Sequence, residues 1–222
     1  MQAAQLLSKR KKWKTLGIAR ISILKIKEIS SRIEDAFEPR VGGPALIGGI
    51  ARWPANEKGN PLVLIASIPN SFISNATGLR LASNLYTSVF SSYSETDYFL
   101  DEITYHGTQE ELECLRRGGT KVIQHPPGAS IAQSLSIPPH RLELGELCSE
   151  EKDCGSRIGA LPCLLQNEIL DLRQMSFALQ LKSADFPSRF KDIFGLLDAL
   201  GYLYLQEKYD SVDHGLFFVQ AT

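Results

Sequence analysis

Long apolar runs are missing from this chain of 222 residues, although 43% of its residues are hydrophobic and 22% are charged. No run approaches the ~20 consecutive apolar residues that a membrane-spanning helix needs. The basic first residues are followed by apolar ones, but Arg20, Lys25, Lys27 and Glu28 interrupt them, which excludes the apolar core of a secretory signal peptide. We therefore expect a globular, cytoplasmic protein that does not span a membrane.

Cysteines are few, and their spacing is not that of a metal site. The closest two, Cys148 and Cys154, are separated by five residues, whereas structural zinc sites use pairs separated by two to four. In a reducing compartment this pair, Cys114 and Cys163 are expected to be reduced thiols, mostly buried. The sequence predicts no metal ion and no other cofactor.

Signatures of catalysis are also missing from the sequence. Gly43 and Gly48 have the spacing of a phosphate-binding loop, but residues 49–50 are Gly-Ile where lysine and serine or threonine are required. Residues 128–130, Gly-Ala-Ser, lack the second glycine of a hydrolase nucleophile elbow. The four histidines are spread along the chain, and no pattern pairs one of them with a cysteine. We therefore predict that the protein is not an enzyme.

Two segments of the chain share one pattern, which is the main indication of the fold. Residues 40–68 begin Arg-Val-Gly and residues 157–183 begin Arg-Ile-Gly; each then has a proline and an apolar, strand-like run. Glycine permits the positive φ of a tight turn, and an apolar run with β-branched residues is typical of a buried strand. The pattern predicts an α+β fold with flanking helices, in which a mainly antiparallel sheet is internally duplicated with pseudo-twofold symmetry.

The N-terminal residues 1–39 are predicted to form a separate basic, amphipathic helix. Isoleucine and leucine recur there at near-helical spacing, and Pro39 stops the pattern. Residues 40–222 form the duplicated domain, with halves at 40–125 and 140–222 joined by a proline-rich hinge. We expect the helix to pack on the sheet; the alternative is a helix that binds nucleic acid or a membrane surface.

Two further helices are predicted to flank the sheet. Residues 108–118 follow the N-cap candidate Thr108, carry glutamates in the first turns and end in glycines. A second helix is predicted over residues 187–200, before Gly201. Its apolar face would consist of Phe190, Ile193, Phe194 and Leu197.

Charge is distributed unevenly along the chain. Residues 1–32 contain nine lysines and arginines and one acid, a net charge of +8, whereas the remainder has 15 lysines and arginines and 24 acids, a net charge of −9. An acidic body repels phosphate groups, so we predict no direct binding of nucleic acid. Such a body attracts a basic protein and steers its approach.

The first of the two similar segments resembles the signature of the bacterial YwqG-like family, whose domain is of unknown function. The resemblance is carried by residues 40–44 (RVGGP), by Trp53-Pro54 and by residues 59–62 (GNPL). It continues in later parts of the chain, at residues 159–162, 177–181, 201–204 and 215–220. The resemblance implies an α+β, internally duplicated domain. Some relatives act as immunity proteins that neutralise toxins of bacterial competition systems such as type VI secretion.

Acidic and aromatic residues are interleaved between residues 91 and 113, which is unlike an ordinary solvated loop. We predict that these residues bind a cognate toxin or effector with a basic surface, for example a nuclease, with tyrosines as anchors. The candidate partner-binding residues are Tyr93, Asp97, Tyr98, Asp101, Glu102, Tyr105, Glu110, Glu111 and Glu113.

The alternative function is a module that binds a small ligand in a cleft between the two halves. Trp53 and Gln180 are the candidate residues for that cleft. A pocket lined by titratable groups with shifted pKa values would favour an enzyme, whereas an exposed acidic ridge would favour the immunity protein.

Overall fold

The computed structural model describes residues 22–28, 37–50, 52–131, 133, 135–147, 155–159, 161–166, 170, 172, 174–207 and 214–221. Within these residues the fold is α+β, with few helices and strands that pair almost entirely in antiparallel fashion. The predicted α+β class with a mainly antiparallel sheet is therefore confirmed. No helix in these ranges is long and apolar enough to cross a membrane.

Most strands belong to one sheet. The strands are β1 (Ser22–Glu28), β2 (Arg40–Val41), β3 (Ala45–Ile47), β4 (Val63–Pro69), β5 (Tyr86–Ser91), β6 (Thr120–His125), β7 (Pro127–Ile131), β8 (His140–Leu147), β9 (Arg157–Ile158), β10 (Ser176–Lys182), β11 (Leu200–Leu205) and β12 (Gly215–Gln220). Ten of them form a sheet in the order β12-β11-β10-β9-β1-β8-β2-β4-β5-β6, and β3 pairs with β7 in a second sheet.

The helices are short and lie in the connections between strands. They are α1 (Asn70–Thr77), α2 (Leu100–Ile103), α3 (Gln109–Cys114), a π-helical turn (Leu115–Gly119) and two 3-10 turns (Ser183–Asp185 and Ser188–Phe190). The helix predicted to start after Thr108 is confirmed, because Thr108 and Glu111 form a reciprocal capping box at the start of α3. Gly118, at a φ of 119°, and Gly119 end this helical segment.

The N-terminal helix prediction is wrong where it can be compared with the structure. Ser22–Glu28 is strand β1, which pairs with β8 on one side and with β9 on the other; residues 1–21 and 29–36 lie outside the described residues. The sequence Leu24-Lys25-Ile26-Lys27 alternates apolar and charged residues, the period of a strand. Hydrogen bonding to two neighbouring strands outweighs the local helical spacing there.

The helix predicted over residues 187–200 is also wrong. The segment is a 3-10 turn followed by irregular turns, in which Gly195 has a φ of 86°. Phe190, Ile193 and Phe194 are buried as predicted, but Leu197 is exposed. The positive φ of Gly195 interrupts a right-handed helix, and the close packing on Leu100 favours glycine there, since a Cβ would be 2.5 Å from Leu100 Cδ2.

Strands β1 and β8 form the centre of the sheet, with β9 to β12 on one side and β2 and β4 to β6 on the other. The two flanks have matching local geometry. The Gly42 N–H donates to the Ile65 carbonyl at 2.9 Å, and the Gly159 N–H donates to the Ala178 carbonyl at 2.9 Å. In each flank the accepting residue lies at a register shift of its strand, in β4 and in β10 respectively.

The largest apolar cluster draws buried side chains from both flanks of the sheet. It includes Val63 and Val89 from one flank and Leu179 and Val219 from the other. The terminal strands β6 and β12 also approach each other, since the Thr120 hydroxyl donates to the Phe217 carbonyl at 2.6 Å. The sheet therefore folds around a shared core, and its two end strands meet.

A buried chain of polar groups crosses this core. The Thr87 hydroxyl donates to Asn70 Oδ1 at 2.7 Å, and His214 Nε2 lies 3.2 Å from Thr87 Oγ1. Because the hydroxyl proton is already used, His214 Nε2 must donate, which leaves Nδ1 unprotonated. His214 Nδ1 is buried, and the backbone of Gln206 lies close enough to interact with the ring. Burial lowers the pKa of His214 to about 4, so its ring is neutral at pH 7.

Replacing His214 with glutamine should remove one source of acid instability. Between pH 6.5 and pH 4 the unfolded chain binds a proton at His214 that the folded chain does not, so stability falls as the pH falls. This contribution should reach about 3 kcal/mol in the free energy of unfolding at the acid end. Urea unfolding of the wild type and of His214→Gln at a series of pH values measures the difference.

Thr87→Val is the matched control for this experiment, because it removes the hydroxyl but keeps the imidazole. It should be less stable at every pH, by roughly 1–3 kcal/mol for the unsatisfied Asn70 oxygen, and should keep the pH dependence of the wild type. Parallel pH profiles for the wild type and His214→Gln would show that His214 does not titrate in this way.

Candidate partner-binding surface

All nine candidate partner-binding residues lie in the segment that connects β5 to β6. The first part of this segment is a turn closed by its own polar side chains. Ser94 Oγ accepts hydrogen bonds from the backbone N–H groups of Thr96 and Asp97, at 3.2 Å and 2.9 Å. The Asp97 carboxylate in turn accepts from the Ser94 hydroxyl at 3.1 Å. Asp97 is thereby held exposed at the tip of the turn.

Tyr98 is the most exposed large hydrophobic side chain of the described residues, at 72%. Its hydroxyl donates to Asp101 Oδ1 at 3.0 Å, and this hydrogen bond raises the pKa of Tyr98. Asp101 lies in the first turn of α2 and is exposed as well. The structure therefore brings Asp97, Tyr98 and Asp101 together on one solvent-facing stretch.

Glu102 has a different role, because its carboxylate is used inside the protein. It accepts from Lys58 Nζ at 2.7 Å, from the Ser92 hydroxyl at 2.7 Å and from Asn56 Nδ2 at 3.2 Å. Burial alone would raise the pKa of Glu102, but these three hydrogen bonds outweigh it and lower the pKa. Glu102 therefore ties α2 to the loop around Asn56.

The glutamates of α3 are also divided between structure and solvent. Glu111 accepts from the backbone N–H groups of His106 and Thr108, at 2.8 Å and 3.2 Å, and lies 2.9 Å from His106 Nδ1. Burial opposes ionisation of Glu111, but these hydrogen bonds prevail and lower its pKa. Glu110 and Glu113 remain exposed, and Gln109 donates to Glu113 at 3.1 Å.

Tyr93 is half-buried in an aromatic cluster. Its ring packs against Phe99 and Phe190 at centroid distances of 5.5 Å and 5.9 Å. The hydroxyl lies 3.4 Å from Asp192, to which it donates. Burial, reinforced by the charge of Asp192, raises the pKa of Tyr93 to about 12. Tyr93 thus supports the surface from below, with only part of its ring accessible to a partner.

Tyr105 has to be removed from the candidate surface. Its side chain is 1% exposed and packs edge-on against Phe218 at 5.4 Å. The backbone of the residue is held as well, since its N–H donates to the Val219 carbonyl at 3.2 Å and its carbonyl accepts from Gln220. Alternating acids and aromatics could not reveal this burial, because β12 comes from more than a hundred residues further along the chain.

The two residues proposed for a ligand cleft belong to different flanks of the sheet. Trp53 packs edge-on against Phe90 at 5.5 Å, and its indole N–H donates to the Leu62 carbonyl at 2.7 Å. Gln180, in β10, accepts from the Cys163 N–H at 2.9 Å and donates to the Gly155 carbonyl at 2.7 Å. Both side chains therefore use their polar groups on the backbone, and the structure does not bring them together.

A pocket of about 100 Å³ lies between the ends of the sheet and does not include either of these residues. It is lined by Leu115, Arg116, Thr120, Lys121, Val122, Gly215, Leu216 and Phe217. This volume is below the range of about 300–1,000 Å³ typical of small-molecule sites. Among the described residues, no group of three histidine, cysteine or acidic side chains is placed to hold a metal ion.

A serine–histidine pair that the sequence did not reveal lies on the outer side of β4, β5 and β6. His125 Nδ1 is 2.8 Å from the Pro126 carbonyl, to which it donates, and Nε2 lies 2.8 Å from Ser88 Oγ. The Ser88 hydroxyl donates to Ser67 Oγ at 3.0 Å. Burial lowers the pKa of His125. All three side chains are buried, so the arrangement is closed to a substrate in this conformation.

The prediction that all cysteines are reduced is wrong at Cys163. Cys163 is disulfide-bonded, and its partner lies outside the described residues, whereas Cys114 is a free thiol. The backbone around Cys163 is fixed from both sides, because its N–H donates to Gln180 and its carbonyl accepts from the Tyr202 hydroxyl at 2.7 Å. Spacing along the sequence could not predict this bond, since pairing depends on distance in the fold.

No protein-family model matches the chain, and no curated protein matches it at a significant level. The resemblance to the YwqG-like family therefore stays a prediction based on the residues quoted for it.

Glu102→Gln should destabilise the protein while the adjacent Asp101→Asn should not. Removal of the charge at residue 102 weakens three hydrogen bonds, and we expect a loss of about 1 kcal/mol because the site is partly exposed. Asp101 bonds only the exposed Tyr98 hydroxyl in the described structure, so its substitution should leave the unfolding midpoint unchanged. Equal midpoints for the two variants in chemical denaturation would contradict the assignment of Glu102 to a structural role and of Asp101 to the surface.

Cys163→Ser should lower the free energy of unfolding by about 2–4 kcal/mol, the usual effect of losing a disulfide. Treating the wild type with a reductant should produce a similar loss, and the reductant should not affect the variant further. Cys114→Ser is the matched control and should behave like the wild type. Intact-mass measurement after alkylation without reduction counts the free thiols; a wild-type protein alkylated at Cys163 would refute the bond.

Proposed function

We propose that this chain is a non-catalytic immunity protein that binds a cognate toxin or effector of a bacterial competition system and blocks it. The observation that carries the proposal is the charge of residues 91–113, which contain seven acids and no lysine or arginine. Asp97, Asp101, Glu110 and Glu113 are exposed there. A toxin that acts on nucleic acid has a basic surface, which such a segment attracts.

The support beneath these acids favours binding without rearrangement. Glu102 and Glu111 anchor the segment through hydrogen bonds, and Tyr93 packs it on the aromatic cluster. A surface that is already ordered loses less conformational entropy on association. Exposed acids at the rim accelerate encounter, while an exposed aromatic such as Tyr98 provides apolar contact.

We also propose that the domain arose by internal duplication, as the YwqG-like resemblance implies, and that its first repeat begins before residue 40, at β1 (Ser22–Glu28). The order of strands on either side of β1 and β8 supports this, as does the matching pair of glycine N–H bonds from Gly42 and Gly159. In the register of the central pair, Leu24 opposes Leu144 and Ile26 opposes Leu142, on either side of the Lys25–Glu143 pair. The central strands would then be equivalent members of the two repeats.

A cytoplasmic location is part of the immunity proposal, since a toxin that enters the cell is met there. The disulfide at Cys163 argues for a compartment or a moment at which thiols are oxidised, because the cytoplasm keeps most thiols reduced. Acid quenching of intact cells followed by alkylation would measure the redox state of Cys163 inside the cell.

Asp101→Lys should slow association with the toxin by about threefold to tenfold at low salt, and the difference should shrink as salt is added. Glu207→Lys is the matched control. Glu207 follows β11 at the end away from Gly195, which contacts Leu100, so its reversal should change the rate much less. The toxin is sought by co-expression with neighbouring reading frames, and rates are measured by stopped-flow at two salt concentrations.

Two outcomes would contradict the proposal. Equal association rates for Asp101→Lys and Glu207→Lys would remove the acidic segment from the encounter surface. A failure of every neighbouring product to bind, together with a small molecule that stays with the purified protein, would favour the ligand-binding module.

A further inference from the structure

Exposed apolar side chains are concentrated beside residues 91–113, the acidic segment. Among the described residues, the exposed large hydrophobic side chains are Tyr98 at 72%, Leu197 at 58%, Leu161 at 50%, Leu144 at 49% and Leu196 at 41%. Three of these five lie near the contact between Gly195 and the Leu100 side chain. Tyr98 is two residues before Leu100 in sequence, and Leu196 and Leu197 directly follow Gly195. Leu100 and Gly195 thus join two loops that are about a hundred residues apart in sequence.

Further contacts hold the two loops together. Arg189 donates to Glu95 at 2.8 Å, the Tyr93 hydroxyl lies 3.4 Å from Asp192, and the rings of Tyr93 and Phe190 pack at 5.9 Å. The loop that carries the two leucines is part of the same framework as the acidic segment. These contacts and the packing of Gly195 on Leu100 join the loop of Leu196 and Leu197 to the segment that carries Tyr98 and Asp101.

The two leucines are presented on a fixed backbone. The Leu197 carbonyl accepts from the Ala184 N–H at 3.0 Å, and the Leu196 carbonyl accepts from the Ala199 N–H at 3.3 Å. The preceding turn is closed by the Gly195 N–H, which donates to the Asp192 carbonyl at 2.6 Å. Solvent exposure of Leu196 and Leu197 is thus imposed by the turn, at the cost of leaving apolar area in water.

We propose that Tyr98, Leu196 and Leu197 form the apolar centre of the interface with a basic protein, the toxin of the proposed function on which this inference rests. The charge around these side chains favours a basic partner. Residues 93–101 and 187–198 together contain five acids and two basic residues, a net charge of −3, and one of the basic residues, Arg189, is paired with Glu95. An apolar centre inside an acidic rim fits a partner with an apolar patch ringed by lysine and arginine.

This interface differs from the one expected from sequence in its centre. Tyr105 is buried and Glu102 and Glu111 are engaged internally, whereas Leu196 and Leu197 lie far from residues 91–113 in the chain. Interfaces depend on a few central apolar or aromatic side chains that become fully desolvated. Loss of either leucine or of Tyr98 should therefore affect the lifetime of the complex more than its rate of formation.

The test places a photo-crosslinking phenylalanine derivative, one at a time, at positions 98, 197, 110, 144 and 161 of the full chain in the cells from which it comes. We expect one and the same protein, rich in lysine and arginine and identified by mass spectrometry, to be captured at 98 and 197. Positions 144 and 161 are matched controls, because leucines are about equally exposed there.

With that protein purified, Leu197→Ser and Tyr98→Ala should each raise the dissociation rate about tenfold or more, with little change in association rate. Leu144→Ser and Leu161→Ser should leave both rates unchanged. Thermal unfolding of all four variants should match the wild type, since each altered side chain is exposed. A variant of Leu197 or Tyr98 that binds like the wild type overturns the inference.

The crosslinking positions also distinguish a failure of this inference from a failure of the proposed immunity function. Capture of a basic toxin at position 110 but not at 98 or 197 overturns the apolar centre and leaves the immunity function standing. Capture of an acidic protein, equal capture at all five positions, or no capture at any position overturns both.

Discussion

The antiparallel pairing of β1 with β8 is the contact on which the rest of the sheet depends. β1 also pairs with β9, and β8 also pairs with β2, so these two strands connect the flanks into one sheet. The shared apolar core follows from this connection, because each flank contributes only part of it. A flank by itself would expose much of the surface that the core buries, and that burial is the main favourable term in folding.

The connections between strands are ordered by polar side chains that have structural tasks. Glu102 joins α2 to a distant loop, and Glu111 closes the start of α3. Gln180, in β10, bonds the backbone of Gly155 and of Cys163. Acids without such tasks face solvent. The acidic segment is thus both a supported framework and a charged surface: Glu102 and Glu111 are partly buried, whereas Asp97, Asp101, Glu110 and Glu113 are exposed.

Several features of the fold were predictable from sequence because they depend on a few adjacent residues. The start of α3 required Thr108 and Glu111 at capping-box spacing, and its end required glycine. The α+β class followed from apolar strand runs separated by turns. Strand β1 was missed because lysines and isoleucines in that stretch fit both a helical and an alternating pattern, and pairing with β8 and β9 decided between them.

The sequence by itself determined local backbone requirements: Gly42 and Gly159 have positive φ, which few other residues adopt without strain. Tertiary structure alone decided the surface. It buried Tyr105 under β12, exposed Leu197 on a turn that Leu100 holds, and brought Cys163 within reach of another cysteine. The reason is that φ depends on contacts within one or two residues, whereas burial depends on segments that meet only when the sheet has formed.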